Sequence, residues 1–472
     1  MAGSGKVNLT TGNPLKKVFV LSIPLIISKL MHVLYNIVDT AWLGMLGKEE
    51  VAAMAFVFPV IFFVISIGIG IGIAGSVLVA QYEGAGEEQN VNFAAAQTFS
   101  FTFFITIIIS VIGYFRSADL VILLGATESV VPLAEAYLKV IFSGLIFLFA
   151  FFIFNSLMRG WGNTLTPMKI MVVTNILNII LDPLLIFGIW IFPRLGIAGA
   201  AYATVFSGII AAAAGLYILF RGKHALKLQL PDFMPQLKVI KKLFLLGWPA
   251  IVEHALKAVG IMILTGIVAV FGTVYVAAFG IGTRVFSVVI MLALAVSMAV
   301  ASAVGQNLGA GLPRRARDLT RVSSITVGVV LIFFGVAIYY GNSSIASLFM
   351  RAGDKEVIET AGAFLKRLAF AAPFIGVVIT MRGAFKGAGR TLQSMFIGIS
   401  GLLGVRVLYA WFAGVQNNNP NGIWNAFIVS GIIEVMICII YYLKGNWAVP
   451  AVELSPANSR VIGVPEENEL TE

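Results

Sequence analysis

Across 472 residues the chain is 59% hydrophobic and only 11% charged, with a mean hydropathy of +0.97. That apolar content stands far above the ~45–50% of a soluble domain and excludes an ordinary soluble fold. The formal charge of +10 does not point to nucleic acid, because the basic residues fall in short loops between apolar runs rather than in a stripe with stacking aromatics.

The apolar runs are long enough to cross ~30 Å of hydrocarbon as helices of ~20 residues, and they lack the strict alternation of a membrane barrel. An all-α membrane protein is therefore expected. Breaks rich in charge, Gly, Pro and Asn divide the chain into twelve spans. The expected organisation is an N-tail over 1–14, a six-helix lobe over 15–220, a linker over 221–238, a second six-helix lobe over 239–443 and a C-tail over 444–472. The polar start, MAGSGKVNLT, carries no cleavage signal, so the first apolar segment is expected to remain as a span. With the N-terminus in the cytoplasm, the basic stretches Arg221 to Lys242 and Arg314 to Arg321 fall inside, against scattered outer residues such as Lys48, Arg116 and Arg194. Positive charge prefers the inner face, which predicts both termini in the cytoplasm.

The first span contains Pro24, a candidate hinge or a static kink. Further along, in LYNIVDTAWLG, Tyr35 and Asn36 precede Asp39 by four and three residues and share its helical face. Burying an ionised carboxylate in a bilayer costs at least ~2.5–3.5 kcal/mol, so Asp39 is either functional or a helix-end group near the headgroups. In the second span, the run from Gly70 to Gly75 matches GxGxxG but has no strand before it, and a dinucleotide site is excluded. Gly68, Gly72, Ser76 and Ala80 form instead a small-residue ridge for helix packing.

In the fifth span, Asn175, Asn178 and Asp182 lie along one stripe of an otherwise apolar helix. Pro183 frees the Ile179 carbonyl beside the acid. The stripe either glues helices or lines a pocket. Two carboxylates in one low-dielectric pocket repel each other, and a proton or a cationic guest relieves the same repulsion. No GxxxxGK[ST] motor motif is present. Glu253 and Lys257 in the seventh span, spaced by four, are expected to neutralise each other or to hold a second ion contact. The roles of Arg284, Arg406 and Glu434, also in or near spans, stay open.

The second half repeats the first. QYEGAG (81–86) recurs as QNLGAG (306–311), and Pro24 matches Pro249, both 225 residues on; later, Gly160, Gly162 and Thr164 match Gly387, Gly389 and Thr391, 227 on. Six spans per half make these parallel repeats. The acids are not repeated: Asp39 faces Leu264 and Asp182 faces Tyr409 in the register of the second copy.

YNIVDTAWLG, the QxxGAG pair, the RGWGNT and KGAGRT pair and NIILDP together resemble the multidrug and toxic compound extrusion (MATE) family, over nearly the whole chain to about Lys444. The resemblance is to the prokaryotic branch, including archaeal members, whose coupling acids lie in the N-terminal lobe. It implies two lobes forming a V and an inner-membrane antiporter, not an enzyme, exporting small lipophilic or cationic drug-like compounds. Protonation would fall on Asp39 and Asp182. Substrate would meet Tyr35, Asn36, Tyr137, Asn175, Asn178 and Thr204. No cofactor or metal is implied, only a proton gradient, with sodium as the alternative ion at the same acids. An uncoupled flippase for a lipid-linked cargo is a further alternative. The expected partners are these substrates, the coupling ion and membrane lipids, with the chain as a monomer and no nucleic acid. Other branches place their acids in the C-terminal lobe; Lys257 stands at that seventh-span position here.

Overall fold

A computed structural model describes residues 6–222, 226–350 and 354–453. Parts of the expected N-tail and linker, and most of the expected C-tail, lie outside the described residues. Twelve helices are long and apolar enough to span a membrane: α1 Pro14–Gly44, α2 Lys48–Ala85, α3 Glu88–Phe115, α4 Val131–Trp161, α5 Leu165–Phe187, α6 Ile197–Arg221, α7 Leu237–Ala269, α8 Thr273–Gly309, α9 Pro313–Ser347, α10 Lys355–Gly387, α11 Thr391–Gln416 and α12 Pro420–Lys444. A short helix, Ser117–Leu123, follows α3. Among the described residues there is no strand. The twelve spans and the all-helical class are those read from the sequence.

The repeated motifs are helix-ending turns. Gly162 follows α4 with φ 94°, a left-handed conformation open to glycine at no steric cost, and its N–H caps the Arg159 carbonyl. Gly389 adopts φ 78° at the matching position after α10.

The chain divides into two compact units, the first comprising residues up to Asn8 with Ile23–Ile251, the second Leu9–Ser22 with Val252 onward. The division passes through α1 and α7, close to Pro24 and Pro249. In the first unit the small-residue ridge of α2 packs on α4: a Cβ built at Gly72 would lie 2.7 Å from Ser156 Oγ, and one built at Gly160 would lie 2.5 Å from the Ser76 carbonyl. The second unit repeats the arrangement with the roles traded. Ser297 of α8, the counterpart of Gly72, meets Gly383 of α10, the counterpart of Ser156, while Gly387 lies against the Ala301 backbone. Close backbone approach, rather than side-chain volume, thus holds both helix pairs.

Two apolar clusters fill the first unit. One gathers Leu43, Val57, Tyr137, Phe142, Ile186 and Val205; the other gathers Ile71, Val79, Ile153, Phe154, Leu157 and Leu219. In the second unit the position of Tyr137 is taken by Phe364, whose ring stacks 4.3 Å from Trp424. The described part of the linker docks on α3. The buried Gln97 donates from Nε2 to the carbonyls of Asp232 (2.7 Å) and Met234 (2.6 Å) and accepts from Gln236 N at 2.8 Å.

Candidate functional site

The first unit brings α1, α4, α5 and α6 together around a polar cluster. Asp39 on α1 is 7% exposed and Asp182 on α5 is fully buried, so neither acid faces lipid. The Tyr35 hydroxyl lies 3.0 Å from Thr204 Oγ1 on α6. With its amide oriented by its partners, Asn178 donates to Asp182 Oδ2 at 3.2 Å and accepts from Thr204 N at 3.1 Å. Asp182 lies within electrostatic reach of Asp39, and both carboxylates act on the Tyr35 and Tyr137 hydroxyls. Tyr137, 4% exposed, is packed in the unit's core.

The helix spacing explains this convergence. Positions 35 and 39 share one face of α1, and 178 and 182 share one face of α5. Pro183 sits inside α5 directly after the acid. α6 packs closely on α4, where a Cβ at Gly208 would overlap the Leu148 side chain.

The two carboxylates are short of donors, and one amide donor is short of an acceptor. Asp39 Oδ1, Asp182 Oδ1 and Asn175 Nδ2 are buried without a hydrogen-bond partner. Buried carboxylate oxygens left in this state are costly unless a proton or a cation meets them. The donor set, carboxylates, a carbonyl-type amide oxygen and hydroxyls, fits either guest.

Asn36 stands apart. It is exposed, and its Nδ2 donates to the His32 carbonyl of its own helix at 2.9 Å. Two further buried polar groups lie one turn along α1 and α6 from Asp39 and Thr204. Ser207, three residues after Thr204, has a buried hydroxyl without a partner; so does the Trp42 indole N–H, three residues after Asp39, with its ring edge-on to Phe187 at 6.1 Å. The periodicity of three was their only signal in the sequence.

The second unit holds charges of a different kind. Glu253 closes on α10 rather than on Lys257, forming an ion pair with Arg382 at 2.5 Å and accepting from Lys386 Nζ at 3.1 Å. Lys257 is exposed, and the electrostatics around it come from Glu253, Arg382, Arg406 and Lys386. Arg406 lies 3.7 Å from Glu434, donates to Ser430 Oγ at 2.9 Å and rests 4.6 Å from the Phe427 ring. Arg284 is exposed. This network is dominated by cations, where the first unit's cluster is dominated by acids.

The MatE family profile matches residues 24–184 and 249–412, one segment in each half of the chain. Among relatives, "Probable multidrug resistance protein YoeA" of Bacillus subtilis (strain 168) is 29% identical over 429 residues, covering 89% of this chain and 91% of the relative. The "FAD transporter" of Shewanella oneidensis is 30% identical over 429 residues, covering 90% and 92%. Among solved structures, the outward-facing conformation of a multidrug resistance MATE family transporter of the MOP superfamily matches with a TM-score of 0.88 at 22% identity, covering 95% of this chain and 99% of that one. At that identity the likeness carries the fold.

Proposed function

The chain belongs to the MatE family, a family of membrane transporters rather than enzymes, and from that premise we propose that it is a secondary antiporter exporting lipophilic, often cationic compounds in exchange for protons. The observation that carries this reading is the meeting of Asp39 and Asp182 in one buried cluster with Tyr35, Tyr137, Asn178 and Thr204. The second repeat has Leu264 and Tyr409 in place of the two acids.

In the proposed cycle, repulsion between the carboxylates is relieved either by a proton or by a cationic guest, and the two compete for the same oxygens. Asn178 holds Asp182 Oδ2 and leaves Oδ1 for that exchange. Tyr35 and Thr204 brace each other beside it. Pro24 is the proposed hinge of α1, carrying Tyr35 and Asp39 between two environments. Asn175 and Asn36 are proposed as outlying substrate contacts. The proposed location is the cytoplasmic membrane, with both termini inside as the charge bias predicts. Relatives named for multidrug resistance support drug-like cargo.

The test is uptake of a fluorescent lipophilic cation into inverted proteoliposomes under an imposed proton gradient. Asp39→Asn and Asp182→Asn should each abolish exchange, and a protonophore should do the same to the unmodified protein. Exchange that survives both substitutions would refute the proposal. The oxygen-rich donor set favours a second reading, sodium coupling at the same acids, which transport driven by sodium after collapse of the proton gradient would select. Movement insensitive to either gradient would select the uncoupled lipid-type cargo.

A further inference from the structure

The internal repeat pairs a set of basic residues that the acid pair does not use. In the register of the first helix, Ser28, Lys29 and His32 of α1 correspond to Glu253, His254 and Lys257 of α7; in the register of the fourth, Arg159 of α4 corresponds to Lys386 of α10. Base therefore answers base at three positions. At the remaining one, a serine answers a glutamate.

The second unit shows what these bases hold. There the Glu253 carboxylate lies on Lys386 at 3.1 Å and within the field of His254. In the first unit the corresponding carboxylate is missing, since Ser28 stands in its place, yet the bases are still brought together. Lys29 lies within electrostatic reach of both Arg159 and His32. Arg159 is only 7% exposed, and among the described residues neither its guanidinium nor the Lys29 ammonium engages an acid or a hydrogen-bond acceptor. Two cations within each other's field repel, and the buried Arg159 carries the cost of leaving water. An anion between them removes both penalties. The approach is open on one side, where His32 is exposed.

We propose that Lys29, Arg159 and His32 form a binding site for an external anionic oxygen group, a carboxylate or a phosphate, in the place that Glu253 fills from within in the other repeat. Arg159 forms the floor and supplies a planar fork of donors suited to such a group. Lys29 forms the wall, and His32 the rim. The site lies on the α1 face that continues toward Tyr35 and Asp39, but it does not depend on ion coupling at the acids.

The full chain, purified in a neutral maltoside detergent, is titrated calorimetrically and by thermal unfolding with benzoate, with phenyl phosphate, and with phosphatidic acid in phosphatidylcholine micelles. At least one probe should bind saturably and raise the unfolding temperature. Response to benzoate or phenyl phosphate identifies a free organic anion, and response to phosphatidic acid alone identifies a lipid headgroup; either supports the site. Ser28→Glu, which imports the carboxylate of the other repeat, should weaken binding by about ten-fold or more while leaving the unfolding temperature unchanged or higher. Arg159→Gln should weaken it equally, Arg159→Lys should retain it, and Lys238→Gln, exposed in the first turn of α7, should leave it unaltered. Where Arg159→Gln fails to fold, Ser28→Glu and Lys29→Gln carry the comparison. Absence of a saturable response to all three probes, or a response that Ser28→Glu and the Arg159 or Lys29 variants leave intact, overturns the proposal.

Discussion

The Tyr35 hydroxyl lies 3.0 Å from Thr204 Oγ1 and joins the first and sixth spans of one repeat across 169 positions of sequence. The two hydroxyls partner each other beside two carboxylates that each have one oxygen, Oδ1, without a partner. Tyr35→Phe and Thr204→Val should therefore not be independent. A double-mutant cycle on the thermal stability of the purified protein should give a coupling of about 0.5–1.5 kcal/mol. Simple additivity would mean that the contact contributes nothing.

Asn178 and Asn36 separate in the structure although both lie beside an acid in sequence. Replacing Asn178 by Leu takes from Asp182 Oδ2 its one donor among the described residues and should lower exchange in proteoliposomes by about ten-fold or more, the size expected for a lost hydrogen bond to a charged group. Asn36→Ala should have a much smaller effect, since that amide is spent on its own helix. Equal losses in the two variants would contradict this ranking.

Glu253 neutralises two cations at once. Glu253→Gln should strand Arg382 and Lys386 and cost about 3–5 kcal/mol, as breaking a buried ion pair does. Adding Lys386→Met should recover part of that loss, because one stranded charge goes with it. Unfolding curves for the single and double variants decide the matter. No recovery would place the cost elsewhere than in the stranded charges.

The repeated close approaches of helices make a steric prediction. Gly160→Ala and Gly387→Ala each push a methyl group into a neighbouring backbone carbonyl and should destabilise by about 1–3 kcal/mol. Gly280→Ala, on α8 with nothing within 4 Å, should be neutral or stabilise by about 0.5–1 kcal/mol through its helix preference. Melting temperatures in one detergent provide the comparison.

Much of this architecture was legible before any coordinates. The twelve spans follow from apolar length, and the match of Gly162 with Gly389 follows from the internal repeat, while their role as helix-ending turns appears only in the structure. The stripe Asn175, Asn178 and Asp182 is visible as periodicity three and four. What the sequence leaves hidden is partner choice across helices. Glu253 looks paired with Lys257 by spacing, but the close approach of α8 and α10, helped by Gly383 and Gly387, belongs to a unit in which Arg382 and Lys386 reach the carboxylate first. Gln97 gives no local sign that it clasps the linker 135 and 137 positions away. Trp42 and Ser207 look like any residues of an apolar helix until their buried polar atoms are seen without partners.

The division of α1 and α7 between units sets an order for assembly. Leu9–Ser22 is synthesised before Ile23–Ile251, yet the rest of the unit that receives it begins only at Val252. That stretch must wait, unburied by its final neighbours, while residues 23–251 are translated. Maturation is thus a late, long-range closure rather than two successive local ones, and a chain truncated after the linker would leave its own leading segment without a home.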